Sequence, residues 1–200
     1  MTESDQLRKK LLTAAFKMPL VQTMVSRKSS ITNAFVNAVV PATMPSHDEI
    51  EEALRILGQN PHDVRCVYCG DKASEWDHLR PLVLDRRPTG YVSEIGNLVP
   101  ACGKCNQSKG NKPWRDWMRS ASAKHSPTGR GHANVEERIA RIETFENWRP
   151  PTQVDFVAVL GAETWEQYWA LCEKVIAELQ QCQQVAISLR QRIADRLQKP

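Results

Sequence analysis

Four cysteines stand in two identical spacings, Cys66-Val-Tyr-Cys69 and Cys102-Gly-Lys-Cys105, and the second pair runs directly into Asn106-Gln-Ser-Lys109. Two C-x-x-C pairs have the ligand spacing of a tetrahedral four-thiolate zinc site. Four thiolates fill the coordination sphere and leave no position for water. The expected zinc therefore holds the fold and performs no chemistry. Buried reduced thiols are the alternative, but a glycine beside each pair, Gly70 and Gly103, favours the metal. Between the pairs lies Glu75-Trp-Asp77-His78-Leu-Arg-Pro81, which sets an acid next to an imidazole. Adjacent residues on a strand face opposite sides, so Asp77 and His78 reach one site only where the chain bends. Pro81 and the loop after it allow that bend.

The elements that must carry these residues are short. Runs over 65–68, 75–79 and 82–84 have β character within a turn-rich stretch from Asp63 to Gly110, which is the functional module. Before it, apolar spacing predicts helices over about 5–17 and 31–40. A third begins at the capping box Ser46/Glu49, presents Ile50, Ala53, Leu54 and Leu57, and ends at Gly58. After the module, residues 120–133 are rich in Ser, Gly and Pro and read as a mobile basic loop. Asn134 with Glu137 offers a second capping box, for a helix over about 135–147. Trp114 and Trp117, three apart after Pro113, are read as core, with base stacking the lesser alternative.

From Trp165 a seam continues through Tyr168, Cys172, Val175, Leu179, Cys182, Ala186, Leu189 and Ile193 in steps of three and four. It predicts one long helix over about 164–197, capped by Thr164 with Gln167. Such a seam suits a coiled-coil homodimer or packing on the chain's own N-terminal helices; its length favours the dimer. Cys172 and Cys182, about 15 Å apart by helical rise, cannot bond to each other and act as small apolar fillers.

Charge narrows the partner. Lys and Arg number 27 against 23 Asp and Glu, but residues 104–132 carry seven cations against Asp116 alone. A basic stripe beside a candidate site suits a polyanion, although a solvated basic surface has the same composition. The N-terminus MTESDQ lacks a basic segment followed by an apolar run, and no stretch approaches the ~20 apolar residues that cross a bilayer. A cytoplasmic protein without a membrane partner is expected, with its cysteines reduced or metal-bound. His47, His62, His125 and His132 fall in loops with no ligand partner and carry no assignment.

The order Cys66-x-x-Cys69, Asp77-His78, Asn97-Leu-Val-Pro100, Cys102-x-x-Cys105, Asn106 and Lys109 resembles the HNH nucleases, the ββα-metal group. The likeness runs from Cys66 to Lys109 and covers nothing outside. It implies that His78, as a neutral imidazole of ordinary pKa about 6.5, takes a proton from the attacking water. It implies that Asp77, by backbone or side chain, and Asn106, by its amide oxygen, hold one divalent ion, Mg²⁺ or Mn²⁺, on the scissile phosphate. Asn97 would pin the interstrand loop and orient His78. Lys109 could face phosphate, with Lys112 a weaker candidate. Arg80, Arg86 and Arg87 could reach a DNA groove or be solvated. Asn106 stands where the founding motif has histidine, which moves metal preference toward Mg²⁺.

The resulting expectation is an α+β protein. Residues 61–120 form a small ββα-metal zinc module, flanked by a helical segment over 1–60, a basic loop over 121–133 and a helical segment over 134–200. The function expected is a metal-dependent endonuclease that leaves 5′-phosphates, site-specific on double-stranded DNA in the manner of a restriction enzyme. The alternatives are a structure-selective or nicking nuclease of phage or mobile-element type, or an inert zinc module that binds nucleic acid.

Overall fold

The computed structural model describes residues 3–197. The chain divides into two compact units, residues 29–173 and residues 1–28 together with 174–200. The architecture is α+β, and the site lies wholly within the first unit.

That unit opens on α2 (Lys28–Val39), preceded in the chain by α1 (Glu3–Ala15), and continues with α3 (His47–Ile56). The capping box of α3 forms: the Ser46 hydroxyl accepts from the Glu49 amide, and the Glu49 carboxylate accepts from the Ser46 amide. Strand β1 (Glu75–His78) pairs antiparallel with β4 (Leu98–Ala101), Asp77 opposite Val99 and His78 opposite Leu98. Between them lies a hairpin of β2 (Val83–Leu84) and β3 (Arg87–Pro88), turned by Asp85 and Arg86, both at positive φ. Helix α4 (Gly103–Lys109) follows β4 at once, so β1, β4 and α4 make a ββα unit. Next come α5 (Trp114–Arg119), α6 (Val135–Trp148), α7 (Phe156–Leu160) and the long α8 (Ala162–Leu197).

The core of this unit joins α3, α5 and α6 to the ββα unit through Ala53, Leu57, Leu79, Val99, Met118, Ile139, Ile142 and Phe145. Trp114 and Trp117 are each 1% exposed, which makes them core and removes the stacking alternative. Tyr68 packs edge-on against Trp117, centroids 5.2 Å apart.

Several local expectations are corrected. The helix expected from residue 31 begins earlier, at Lys28, and a 3-10 turn covers Met24–Arg27 ahead of it. Residues 66–69 form a turn, closed by the Gly70 amide on the Cys66 carbonyl, so the first cysteine pair is not extended; only the Arg65–Lys72 bridge remains of that run. Asn134 does not cap α6, since its backbone lies at φ −100, ψ 35 and Glu137 pairs with Arg141 instead. Helix α8 starts two residues ahead of Thr164, directly after Gly161.

The segment 120–133 is fastened at several points. Ser126 is fully buried, donates to the Ser120 carbonyl and accepts from the Gly129 amide, while Thr128 donates to the Met118 carbonyl. Along α8, burial falls on Trp165, Trp169 and Cys172, then Ile176 and Gln183, so the seam turns by one position and leaves Val175 and Cys182 exposed. In the second unit the Gln183 side chain accepts from the Met24 amide at 2.7 Å, and Leu189 and Ile193 are exposed.

Candidate active site

The four cysteines come together. The Sγ atoms of Cys66, Cys69, Cys102 and Cys105 lie within 4.8 Å of one another, all buried, and among the described residues no other cluster of three or more Cys, His, Asp or Glu donors exists. Zinc–thiolate bonds of about 2.3 Å demand a tetrahedron edge of roughly 3.8 Å; Cys69 and Cys102 stand 3.7 Å apart. The donor set therefore fits a four-coordinate metal of zinc's size.

Two local structures build the cluster. The first pair sits in a knuckle closed by the Gly70 amide on the Cys66 carbonyl at 2.8 Å, with Gly70 at φ +82, a conformation that favours glycine. The second pair occupies the start of α4, Cys102 as the residue before the helix and Cys105 inside it. Hydrogen bonds from Cys105 and Cys69 pull the Cys66 thiol down to about 4, and the thiolate so formed drives Cys105 upward.

Immediately beside this cluster, Asp77, His78, Asn106 and Lys109 line one cleft of about 250 Å³. Each is held by a specific partner. His78 Nε2 lies 2.8 Å from the Ser93 hydroxyl, which leaves Nδ1 as the ring nitrogen free of that contact. Burial, reinforced by the Lys109 charge, lowers the His78 pKa to about 4, so the ring is neutral at pH 7. The Asn106 amide nitrogen donates to the Glu75 carboxylate at 2.6 Å. An ionised carboxylate accepts only, so this contact fixes the amide and presents Oδ1 as the remaining donor atom. Gly103 lies against this contact: a Cβ there would stand 2.7 Å from Glu75 Oε1 and push the carboxylate aside. The glycine inside the second cysteine pair thus has a positional reason.

Asp77 is 5% exposed. It accepts from the Tyr68 hydroxyl at 2.8 Å and faces the Lys109 ammonium at 3.3 Å. Burial pushes the Asp77 carboxyl up and the Lys109 ammonium down, and their contact opposes both shifts. Lys109 also donates to the His78 carbonyl at 2.9 Å. One ammonium thereby ties the side chain of Asp77 to the backbone of His78.

This overturns the placement of Lys109 as a surface phosphate ligand. It is 1% exposed because its helical face is turned to β1. Lys112 remains at the surface and donates to the Ser108 carbonyl. Asn97 is fully buried, outside the cleft. Its side chain accepts from the Arg80 amide at 2.7 Å and donates to the carbonyls of Arg80 and Val92.

The three loop arginines do not line the cleft. Arg80 is paired with Glu146, and Arg87 with Glu166 and Glu173 while lying over the Trp169 ring. Arg86 stays largely exposed, 4.0 Å from Glu173. The basic stripe is likewise reduced. Lys109, Arg115, Arg119 and Arg130 pair with Asp77, Glu143, Glu136 and Asp71, which leaves Lys104, Lys112 and Lys124 without a carboxylate partner among the described residues.

Sequence reasoning did not find Ser93, Glu75, Tyr68, Asn33 or Asn37, although the last two line the cleft. Glu75 had a signal, since it lies two before Asp77 on a strand and so on the same face. Ser93 and the two asparagines had none, because only the tertiary fold brings them in.

A ββα unit held at its root by four clustered thiols, with a neutral histidine and a free amide oxygen in one cleft, has the parts that metal-assisted hydrolysis uses. Residues 66–112 match the HNH endonuclease family and constitute a domain of that family. Two curated relatives share more of the chain. The CRISPR-associated endonuclease Cas9 of Corynebacterium diphtheriae is 40% identical over 82 residues, 39% of this chain and 7% of that protein. The CRISPR-associated endonuclease Cas9 of Actinomyces naeslundii is 29% identical over 102 residues, 49% of this chain and 8% of that protein. The chain thus spans less than a tenth of the length of these relatives. No solved structure gives a significant match.

Proposed function

We propose that the protein is a metal-dependent DNA endonuclease that hydrolyses phosphodiester bonds at the cleft beside the cysteine cluster. The observation that carries this reading is the pairing of each reactive group with a holder. His78 is fixed through Nε2 by Ser93, and Asn106 is fixed through its nitrogen by Glu75, so Nδ1 and Oδ1 are the atoms left for substrate and metal. His78, neutral at pH 7, takes the proton from the attacking water. Asn106 Oδ1 supplies a hard oxygen ligand of the kind that suits Mg²⁺ or Mn²⁺; the Asp77 carboxylate, held by Tyr68 and Lys109, would have to leave Lys109 to join it. Such an ion, when bound, stabilises charge on the scissile phosphate and the departing 3′-oxygen. Zinc at the four thiolates is assigned a structural part: it fixes Cys105, and with it the helical turn that bears Asn106.

The finer proposal is site-specific cutting of double-stranded DNA to leave 5′-phosphates, by a cytoplasmic homodimer that brings one site to each strand. Its support is the family match at 66–112 and the exposed apolar side chains of Leu189 and Ile193 near the end of α8. Among the described residues no helix is long and apolar enough to cross a membrane.

The test is incubation of the zinc-loaded protein with long duplex DNA and Mg²⁺ beside a His78→Ala control. Discrete fragments that vanish in the control support the site-specific enzyme. A smear supports a nonspecific nuclease, single-strand breaks a nicking one, and intact DNA that is nonetheless bound refutes the catalytic reading.

A further inference from the structure

Helix α2 lies outside the residues that match the nuclease family, yet it contributes to the cleft. Asn33 and Asn37, one helical turn apart and so on one face, line it together with Asp77, His78 and Asn106. The placement is firm. Thr32, Val36 and Val40 are buried along α2 and just past its end, and the Phe35 carbonyl accepts from the Tyr168 hydroxyl at 2.9 Å. Directly after the helix, the Pro41 carbonyl accepts from the Ser93 amide and the Thr43 amide donates to the Ser93 carbonyl. Ser93 is the residue whose hydroxyl contacts His78. The position of α2 is therefore tied to the imidazole through a single residue.

We propose that α2 is a substrate-reading wall of this cleft, with Asn33 and Asn37 contacting the base of a nucleotide next to the scissile bond. This rests on the nuclease reading above. Both side chains are exposed and make no hydrogen bond among the described residues. Two asparagines in one helix disfavour it by up to about 0.7 kcal/mol each relative to alanine, and no cap or turn needs them there. A carboxamide carries no charge to offer a phosphate. It does carry a donor and an acceptor side by side, the pattern that matches a base edge, adenine best of all. The consequence is a local base preference at the cut, set by residues that the family match does not include.

The test uses one randomised duplex pool and zinc-loaded protein, wild type and Asn33→Ala/Asn37→Ala. Alanine favours the helix, and a melting temperature no lower than wild type's establishes that the variant is folded. With Mg²⁺ the newly formed ends are sequenced; without it the bound duplexes are captured and sequenced. Wild type is expected to show a base bias within two or so nucleotides of the cut. The double variant is expected to lose at least about fivefold of that discrimination, the lower end of what a bidentate amide–base contact supplies. A slower variant with the bias intact means a structural role and overturns the proposal, as does the absence of any bias in wild type. Should nothing be cut while the bound pool still carries an asparagine-dependent bias, the nuclease reading falls and the α2 contact stands. Should the protein neither cut nor bind the pool, both fall.

Discussion

The buried pair Lys109–Asp77 offers the sharpest test of how the site is held. The two charges lie 3.3 Å apart with side chains 1% and 6% exposed. At an effective dielectric of about 20 their attraction is on the order of 5 kcal/mol, set against a desolvation penalty of similar size. The pair as a whole therefore contributes little net stability, but either member alone is an uncompensated buried charge. Lys109→Met should destabilise the protein by about 3–5 kcal/mol. Asp77→Asn should cost less than that, since the amide oxygen still accepts from Tyr68 or Lys109. The double variant should lose far less than the sum of the two, with a coupling of about 2 kcal/mol or more. Urea unfolding by far-UV circular dichroism measures all four proteins, with zinc in excess so that metal loss does not intrude. Single variants that each cost under about 0.5 kcal/mol, or effects that simply add, would show that the two groups do not share a dry contact.

Four further outcomes follow from the same geometry. Because the folded His78 pKa is about 4 against an unfolded 6.5, the unfolded chain binds the extra proton first as pH falls; wild type should lose about 1 kcal/mol relative to His78→Gln between pH 7 and 5.5, and no more below pH 4, read from paired denaturation curves. Ser93→Ala should lower kcat about tenfold, one hydrogen bond's worth, with KM little changed and partial rescue by Ser93→Thr. Glu75→Gln frees the Asn106 amide to turn, so it should raise the Mg²⁺ concentration needed for cleavage severalfold while leaving the melting temperature within a few degrees. One zinc per chain should be found by atomic absorption, and its removal by chelator or by Cys105→Ser should abolish the cooperative thermal transition of residues 29–173.

What was legible in the sequence follows from how local each signal is. The cysteine pairs announce themselves because each is set by one turn of chain, and the Ser46 box forms because its two hydrogen bonds close within four residues. The Asn134 box has the same letters but fails, since Glu137 finds Arg141 one turn along its own helix and the backbone at Asn134 is not extended. Lys109 looked like a phosphate ligand for the same reason that it is not one. Three residues after Asn106 on a short helix, it can face either water or the strand, and a buried carboxylate at Asp77 decides for the strand.

The holders of the site are long-range. Ser93 reaches His78 across 15 residues and Glu75 reaches Asn106 across 31. A motif of donors and bases therefore carries the family likeness, whereas the residues that hold it in place are supplied by the β1–β4 register and by the loop between the strands. Because those holders each engage the far end of a reactive side chain, replacing one should leave the motif intact and still misdirect it. The motif alone is thus a statement of capacity. On the proposed reading, the contacts at Ser93, Glu75 and Lys109 are what would aim that capacity at a phosphate.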